Sequence, residues 1–181
     1  ALAKYRFIGH RVVFATVMVF LLVPQIVTVI PLFDLAASFG LVNSFPALIV
    51  PFLVTPLGIF LMRQLMQDIP DELLEAARVD GANEPWIYRR VVLPLARNGL
   101  ITLAVFSFLF QWDALLWPLV ILSRNEMYTL NLGVSLLQTN VQTPYNAIFA
   151  VTLMFSLPVM ILYFILQRRV VESLTADAVK G

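Results

Sequence analysis

Two groups of residues in this chain have the types and spacing to do chemistry. The first is Gln111-Trp112-Asp113, followed by Trp117-Pro118, which interrupts an otherwise apolar run. A carboxylate inside lipid is costly, so Asp113 should face a bundle interior or water, and the default reading of such a residue is a solute path. Gln and Asp side chains hydrogen-bond hydroxyl groups, and an indole covers the apolar side of a sugar ring. Gln111, Trp112, Asp113 and Trp117 therefore carry the chemistry of carbohydrate recognition. The same residues equally suit a helix that breaks near the outer interface, with the tryptophans as belt anchors. Gln25, beside Pro24, is a further polar candidate, and Asn43-Ser44 ahead of Pro46 reads as a turn and cap.

The second group is Glu75-Ala-Ala-Arg-Val-Asp-Gly-Ala82, with Leu93-Pro94 beyond it, a charged block between two long apolar runs. Its chemistry is ionic and steric docking rather than catalysis. Asp71 and Glu72 follow Pro70, where acids complement a helix N-terminus, and Gly81 offers a left-handed stop, so 70–80 reads as one short helix. The periodicity is taken to place Leu73, Leu74, Ala76 and Ala77 on one side and Asp71, Glu75 and Arg78 on the other. Small residues permit close approach of another surface, and Glu75 and Arg78 can pair with a partner or with each other. Asn83 is placed to cap a second short helix ending near Pro94.

Hydrolytic and redox classes lack their parts. There is no cysteine and a single histidine, His10, so neither a thiolate site nor a zinc cluster is expected. No G-x-x-x-x-G-K loop occurs, His10 has no nucleophile partner, and Asp34 and Asp113 lie in contexts too different for a proteolytic pair. A net charge of +1 gives no nucleic-acid footprint. With 60% hydrophobic and 13% charged residues, the chain is too apolar for a soluble domain and belongs with membrane lipid. Ala1, without methionine, precedes Lys4, Arg6 and Arg11 and reads as a chain whose beginning lies elsewhere.

The elements that must position these residues are four apolar runs, at about 12–33, 45–62, 100–122 and 147–166, each near the length a bilayer core requires. Of the 12 Lys and Arg residues, only Arg124 falls between the last two runs, so the positive-inside rule puts both ends of the chain and the charged block in the cytoplasm. Prolines at 24, 31, 46, 51, 56, 118 and 158 punctuate all four runs. Each one bends a helix or frees a carbonyl, as suits a vestibule, although proline is also commoner in membrane helices than in soluble ones.

The block resembles the EAA motif of ABC importer permeases: Glu75-Ala76-Ala77, Gly81, Val91 and Leu93-Pro94 fall in the register of that family. Ala3-Lys4-Tyr5-Arg6-Phe7, Gln111-Trp112-Asp113 to Trp117-Pro118, and Leu174-Thr175-Ala176 to Val179-Lys180-Gly181 are similar to its carbohydrate branch, the maltose and glycerol-phosphate type. The resemblance implies an all-α type I ABC importer transmembrane domain over 1–181, with an EAA coupling helix pair at about 70–93. Such permeases usually have six spans, which implies two more ahead of Ala1. It further implies a non-enzymatic permease subunit without a cofactor, multi-pass in a bacterial or archaeal cytoplasmic membrane. Its partners would be a second homologous permease, two cytoplasmic ATP-binding subunits and an extracytoplasmic solute-binding protein. Leu73, Glu75, Ala76, Ala77, Arg78, Asp80, Gly81, Leu93 and Pro94 would dock the ATPase, with Glu75 meeting a basic residue there. Two other readings are a secondary transporter or channel without an ATPase, which calls for mid-membrane ionisable residues, and a scaffold subunit. A permease for a non-carbohydrate solute is a further alternative.

Overall fold

The computed structural model describes residues 2–138 and 145–178, and among these the secondary structure is helical without a strand. The closing Val179-Lys180-Gly181 of the family-like ending lies outside the described residues. The chain divides into two compact units, Ala1–Gln111 and Trp112–Gly181.

In the first unit, α1 (His10–Leu22) and α2 (Gln25–Ser38) meet at 106°. The run at 12–33 is thus not one straight span. Pro24 drives the preceding Val23 out of the helical region (φ −74°, ψ 121°), which stops α1 and starts α2 in a new direction. At the end of α2, Gly40 (φ +66°) accepts the left-handed turn while Leu41 N–H bonds to the Ala36 carbonyl at 2.9 Å. Asn43 (φ +57°) and Ser44, whose hydroxyl accepts from Ala47 N–H at 3.3 Å, make the anticipated turn and cap for α3 (Phe45–Ile49).

The run at 45–62 is also divided. A 3-10 turn at Val50–Phe52 follows α3, and α4 (Pro56–Gln67) restarts under a Thr55 cap, bent by 41°. Pro56 falls at the first position of α4, where its missing N–H costs nothing. Two short helices follow, α5 (Asp71–Val79) and α6 (Glu84–Leu95). Then α7 (Arg97–Trp112) leaves α6 at 74°. Gly99 of α7 meets Leu65 of α4 so closely that a Cβ there would lie 2.2 Å from Leu65 Cδ1.

The run at 100–122 ends early, at Trp112. One continuous helix would place Pro118 in its interior, against the carbonyl of Ala114. Breaking at 113–115 puts Pro118 in the first turn of α8 (Leu116–Ile121) instead. The second unit continues with α9 (Leu130–Gln138) and α10 (Tyr145–Ala178). Its core contains Trp117, Pro118, Ile121 and Leu132. Within α10, Tyr145–Gln167 is a 23-residue apolar stretch, about 35 Å long and enough to cross a bilayer core unaided. The runs at 12–33 and 45–62 reach that length only as bent pairs, and α7 does so only when joined to α6 across their 74° bend.

Candidate functional site

The α5–α6 hairpin is held from inside by a small apolar core. Leu74 (5% exposed) meets Ile69 and Ile87, with Ala77, Ala82, Val91 and Val92 packed around them. Gly81 turns the chain at φ +82°, its N–H bonding to the Arg78 carbonyl and that of Ala82 to the Ala77 carbonyl, each at 3.0 Å. This double closure is the Schellman arrangement, and it consumes the last carbonyls of α5. No atom lies within 4 Å of a Cβ built on Gly81, so backbone conformation alone calls for glycine there. The Asn83 side chain accepts from Trp86 N–H at 3.0 Å and caps α6. Across Tyr88–Val92 the helix widens to π geometry, with Leu93 N–H bonding five residues back to Tyr88. Pro94 next in line has no N–H for the Arg90 carbonyl, and the widened turn accommodates that loss.

This core corrects the face assignment. Residues two apart on a helix sit about 200° apart, so Ala76 cannot share the side of Leu74. Leu74 and Ala77 turn inward, whereas Leu73, Ala76, Val79 (88% exposed) and Asp80 turn out. Glu75 and Arg78 are exposed on one flank, Leu93 is half-buried and Pro94 exposed.

Arg78 does not pair with Glu75. Its Nε donates to Glu84 Oε1 at 2.8 Å across the Gly81 turn, and the Tyr5 hydroxyl donates to Glu84 Oε2. The hydrogen bonds from Arg78 and then Tyr5 hold the Glu84 carboxyl below the usual carboxylate range. The bond to Glu84, followed by desolvation, raises the Tyr5 phenol, and Glu84 and then Tyr5 raise Arg78. One residue earlier, Lys4 Nζ pairs with Asp71 Oδ1 at 2.8 Å and donates to the carbonyls of Gln67 (3.3 Å) and Ile69. The segment before α1 therefore straps both helices of the hairpin. Sequence spacing gave no sign of Glu84 or of this role for Lys4 and Tyr5, because residues six and more than sixty positions apart are joined only by the folded turn.

The candidate solute-path residues belong to both units, Gln25 and Gln111 to the first and Trp112, Asp113 and Trp117 to the second. Gln25 is exposed at the first position of α2, and Gln111 is exposed in the last turn of α7. In the second unit, the Trp112 ring stacks on Phe155 at 5.6 Å, and its Nε1 donates to the Phe155 carbonyl at 3.0 Å. Asp113 is exposed, and its backbone carbonyl accepts from Asn131 Nδ2 at 2.8 Å. Trp117 is buried, 3% exposed, and presents no open ring face. Among the described residues no group of three or more His, Asp or Glu could hold a metal ion.

Proline-broken apolar helices on either side of a self-contained amphipathic hairpin define an all-helical domain with the length and composition for a membrane. The chain belongs to the binding-protein-dependent transport system inner membrane component family, whose match covers residues 1–174. It is 38% identical over 181 residues to the arabinooligosaccharides transport system permease protein of Halalkalibacterium halodurans, covering 100% of this chain and 65% of that one. It is 32% identical to the trehalose transport system permease protein of Mycobacterium tuberculosis, covering 100% and 68%. Among solved structures it is similar, at a TM-score of 0.78 and 27% identity, to a bacterial ABC transporter involved in the import of the acidic polysaccharide alginate. That alignment covers 92% of this chain and 64% of the other. The fold is the type I ABC importer transmembrane fold, and the chain spans about two thirds of the length of these relatives.

Proposed function

We propose that this chain is part of a permease subunit of an ATP-driven carbohydrate importer. It forms half of the translocation pathway with a second homologous permease and receives solute from an extracytoplasmic binding protein. Its α5–α6 hairpin docks one of two cytoplasmic ATP-binding subunits and converts their closure into alternating access. The observation that carries this reading is the hairpin itself: its own core is satisfied by Leu74, Ile69 and Ile87, yet Leu73, Ala76 and Val79 remain outward beside charged Glu75 and Asp80. An exposed apolar stripe rimmed by charge on a short helix closed at its C-terminus by the Gly81 turn is a surface for a partner. Sugar cargo is supported by relatives named for arabinooligosaccharides and trehalose.

The test is reconstitution of the full-length protein with its permease and ATPase partners in liposomes. ATP-dependent uptake of a labelled oligosaccharide presented by the binding protein is expected, and Glu75→Lys should leave ATP hydrolysis running without uptake. Uptake that proceeds without ATP would overturn the reading in favour of a secondary transporter.

A further inference from the structure

A cavity of about 660 Å³ opens between the segment before α1, the first turns of α1, and α4. Arg6, Arg11, Arg63 and His10 line it, together with Phe14 and Met18, and its wall contains no carboxylate. Arg63 is fixed in place: its Nε donates to the Leu2 carbonyl at 3.2 Å, Nη1 donates to Gln67 Oε1 at 3.1 Å, and the guanidinium lies 4.1 Å from the Phe14 ring centroid. Arg6 and Arg11 are exposed, and neither forms an ion pair among the described residues. Three guanidinium groups converge on one cavity without a neutralising acid, which is a site for an anion.

The rest of the wall says which anion. Arg11, Phe14 and Met18 follow one face of α1 at helical spacing, so the cationic mouth passes into an apolar wall running about 10 Å along the helix. A soluble phosphate would use the mouth and leave the wall bare. The geometry points to an anionic phospholipid, with its phosphate on Arg6, Arg11 and Arg63 and the start of an acyl chain along Phe14 and Met18. Charges at the end of a helix entering the membrane lie at headgroup depth, where such a lipid is already present. The site is independent of the transported solute and of which face of the membrane it occupies.

The experiment uses the full-length protein with its partner subunits in phosphatidylcholine nanodiscs, whose two faces are both accessible, titrated with fluorescent phosphatidylglycerol. Phosphatidylglycerol is expected to bind in preference to labelled phosphatidylcholine. Arg6→Gln with Arg11→Gln should weaken it about twenty-five-fold, the product of roughly fivefold per arginine at a membrane surface. Arg97→Gln, a cation outside the cavity, should leave binding unchanged. Equal binding of both lipids, or undiminished binding in the double variant, would overturn the proposal. Displacement of phosphatidylglycerol by millimolar inorganic phosphate or glycerol 3-phosphate would overturn it in favour of a soluble anion. A photoreactive phosphatidylglycerol applied to the unaltered protein gives a test that does not depend on variant folding. Cross-links are expected within residues 6–18, and their absence there would overturn the assignment.

Discussion

Ala76 and Ala77 are neighbours in sequence, yet the hairpin gives them opposite duties, and enlarging each in turn separates the hairpin's own core from the surface offered to a partner. Ala77 packs, half-buried, against Ile69, Leu74 and Ile87, so Ala77→Leu crowds extra methylenes against that core. Overpacking of this kind costs about 1–3 kcal/mol, which raises local opening of the hairpin about 5- to 150-fold. Ala76 is exposed, and Ala76→Trp should change the stability of the hairpin by no more than about 0.5 kcal/mol. If the ATPase covers the outward stripe, the same indole meets an overpacked interface and weakens association by about 5- to 150-fold. Hydrogen exchange over 71–95 reads the first quantity, and ATPase retention on the purified permease pair, titrated by dilution, reads the second. The expected pattern is a crossover: Ala77→Leu accelerates exchange, whereas Ala76→Trp leaves exchange alone and loses the ATPase. ATPase retention at the unaltered level by Ala76→Trp, with normal exchange, would refute the outward stripe as the docking face.

Four further outcomes follow from the geometry. The strap contact through Glu84 should be strongest near neutral pH. With its carboxyl held low, the Glu84 contribution is lost as pH falls through that depressed value. With the phenol raised, the Tyr5 contribution is present below the ordinary tyrosine range and lost as pH climbs through the raised value. Exchange over 71–95 measured against pH should lose its acid limb in Glu84→Gln and its alkaline limb in Tyr5→Phe. Gly81→Val should destabilise the hairpin by roughly 1–2 kcal/mol or more through positive φ alone, with Gly81→Asn milder; equal exchange rates for the two would contradict this. Cysteine at Asn43 should react with impermeant maleimide from outside intact cells and cysteine at Asn83 only after permeabilisation, and the opposite pattern would refute the orientation. Asp113→Asn should alter uptake rate or solute preference in an assembled complex if the carboxylate lines the path. Unaltered uptake with intact assembly would remove it from the path.

The short-range features were the legible ones. Pro70 with Asp71-Glu72, Gly81, Asn83 and Ser44 each act within three or four residues, and each cap or stop lies where its residue type demands. The face of α5 was misjudged, because Ala76 is apolar enough to resemble a core residue and only Ile69 and Ile87, from outside the helix, decide which side is inside. The hydropathy of the apolar runs carried no sign of their breaks: it is blind to Pro24 and Pro118, whose effect is directional rather than hydrophobic. Of the path candidates, Trp117 shows why composition falls short: an indole suited to stacking on sugar is equally suited to filling a core, and here it is buried. The Tyr5–Glu84–Arg78 contact was beyond reach, since no local rule couples a residue ahead of the first helix to one beyond the fourth.

Lys4 and Tyr5 grip α5 and α6 from a position only a few residues ahead of α1. The covalent route between the same points runs through α1, α2, α3 and α4, with breaks at Pro24 and at 53–55. The strap is a mechanical short circuit around those joints. Under the proposed docking role, a push on the hairpin would reach the foot of α1 through a lysine ammonium and a tyrosine hydroxyl before it travelled along the chain. Weakening either grip is then expected to leave docking possible while the stroke dissipates in the intervening hinges.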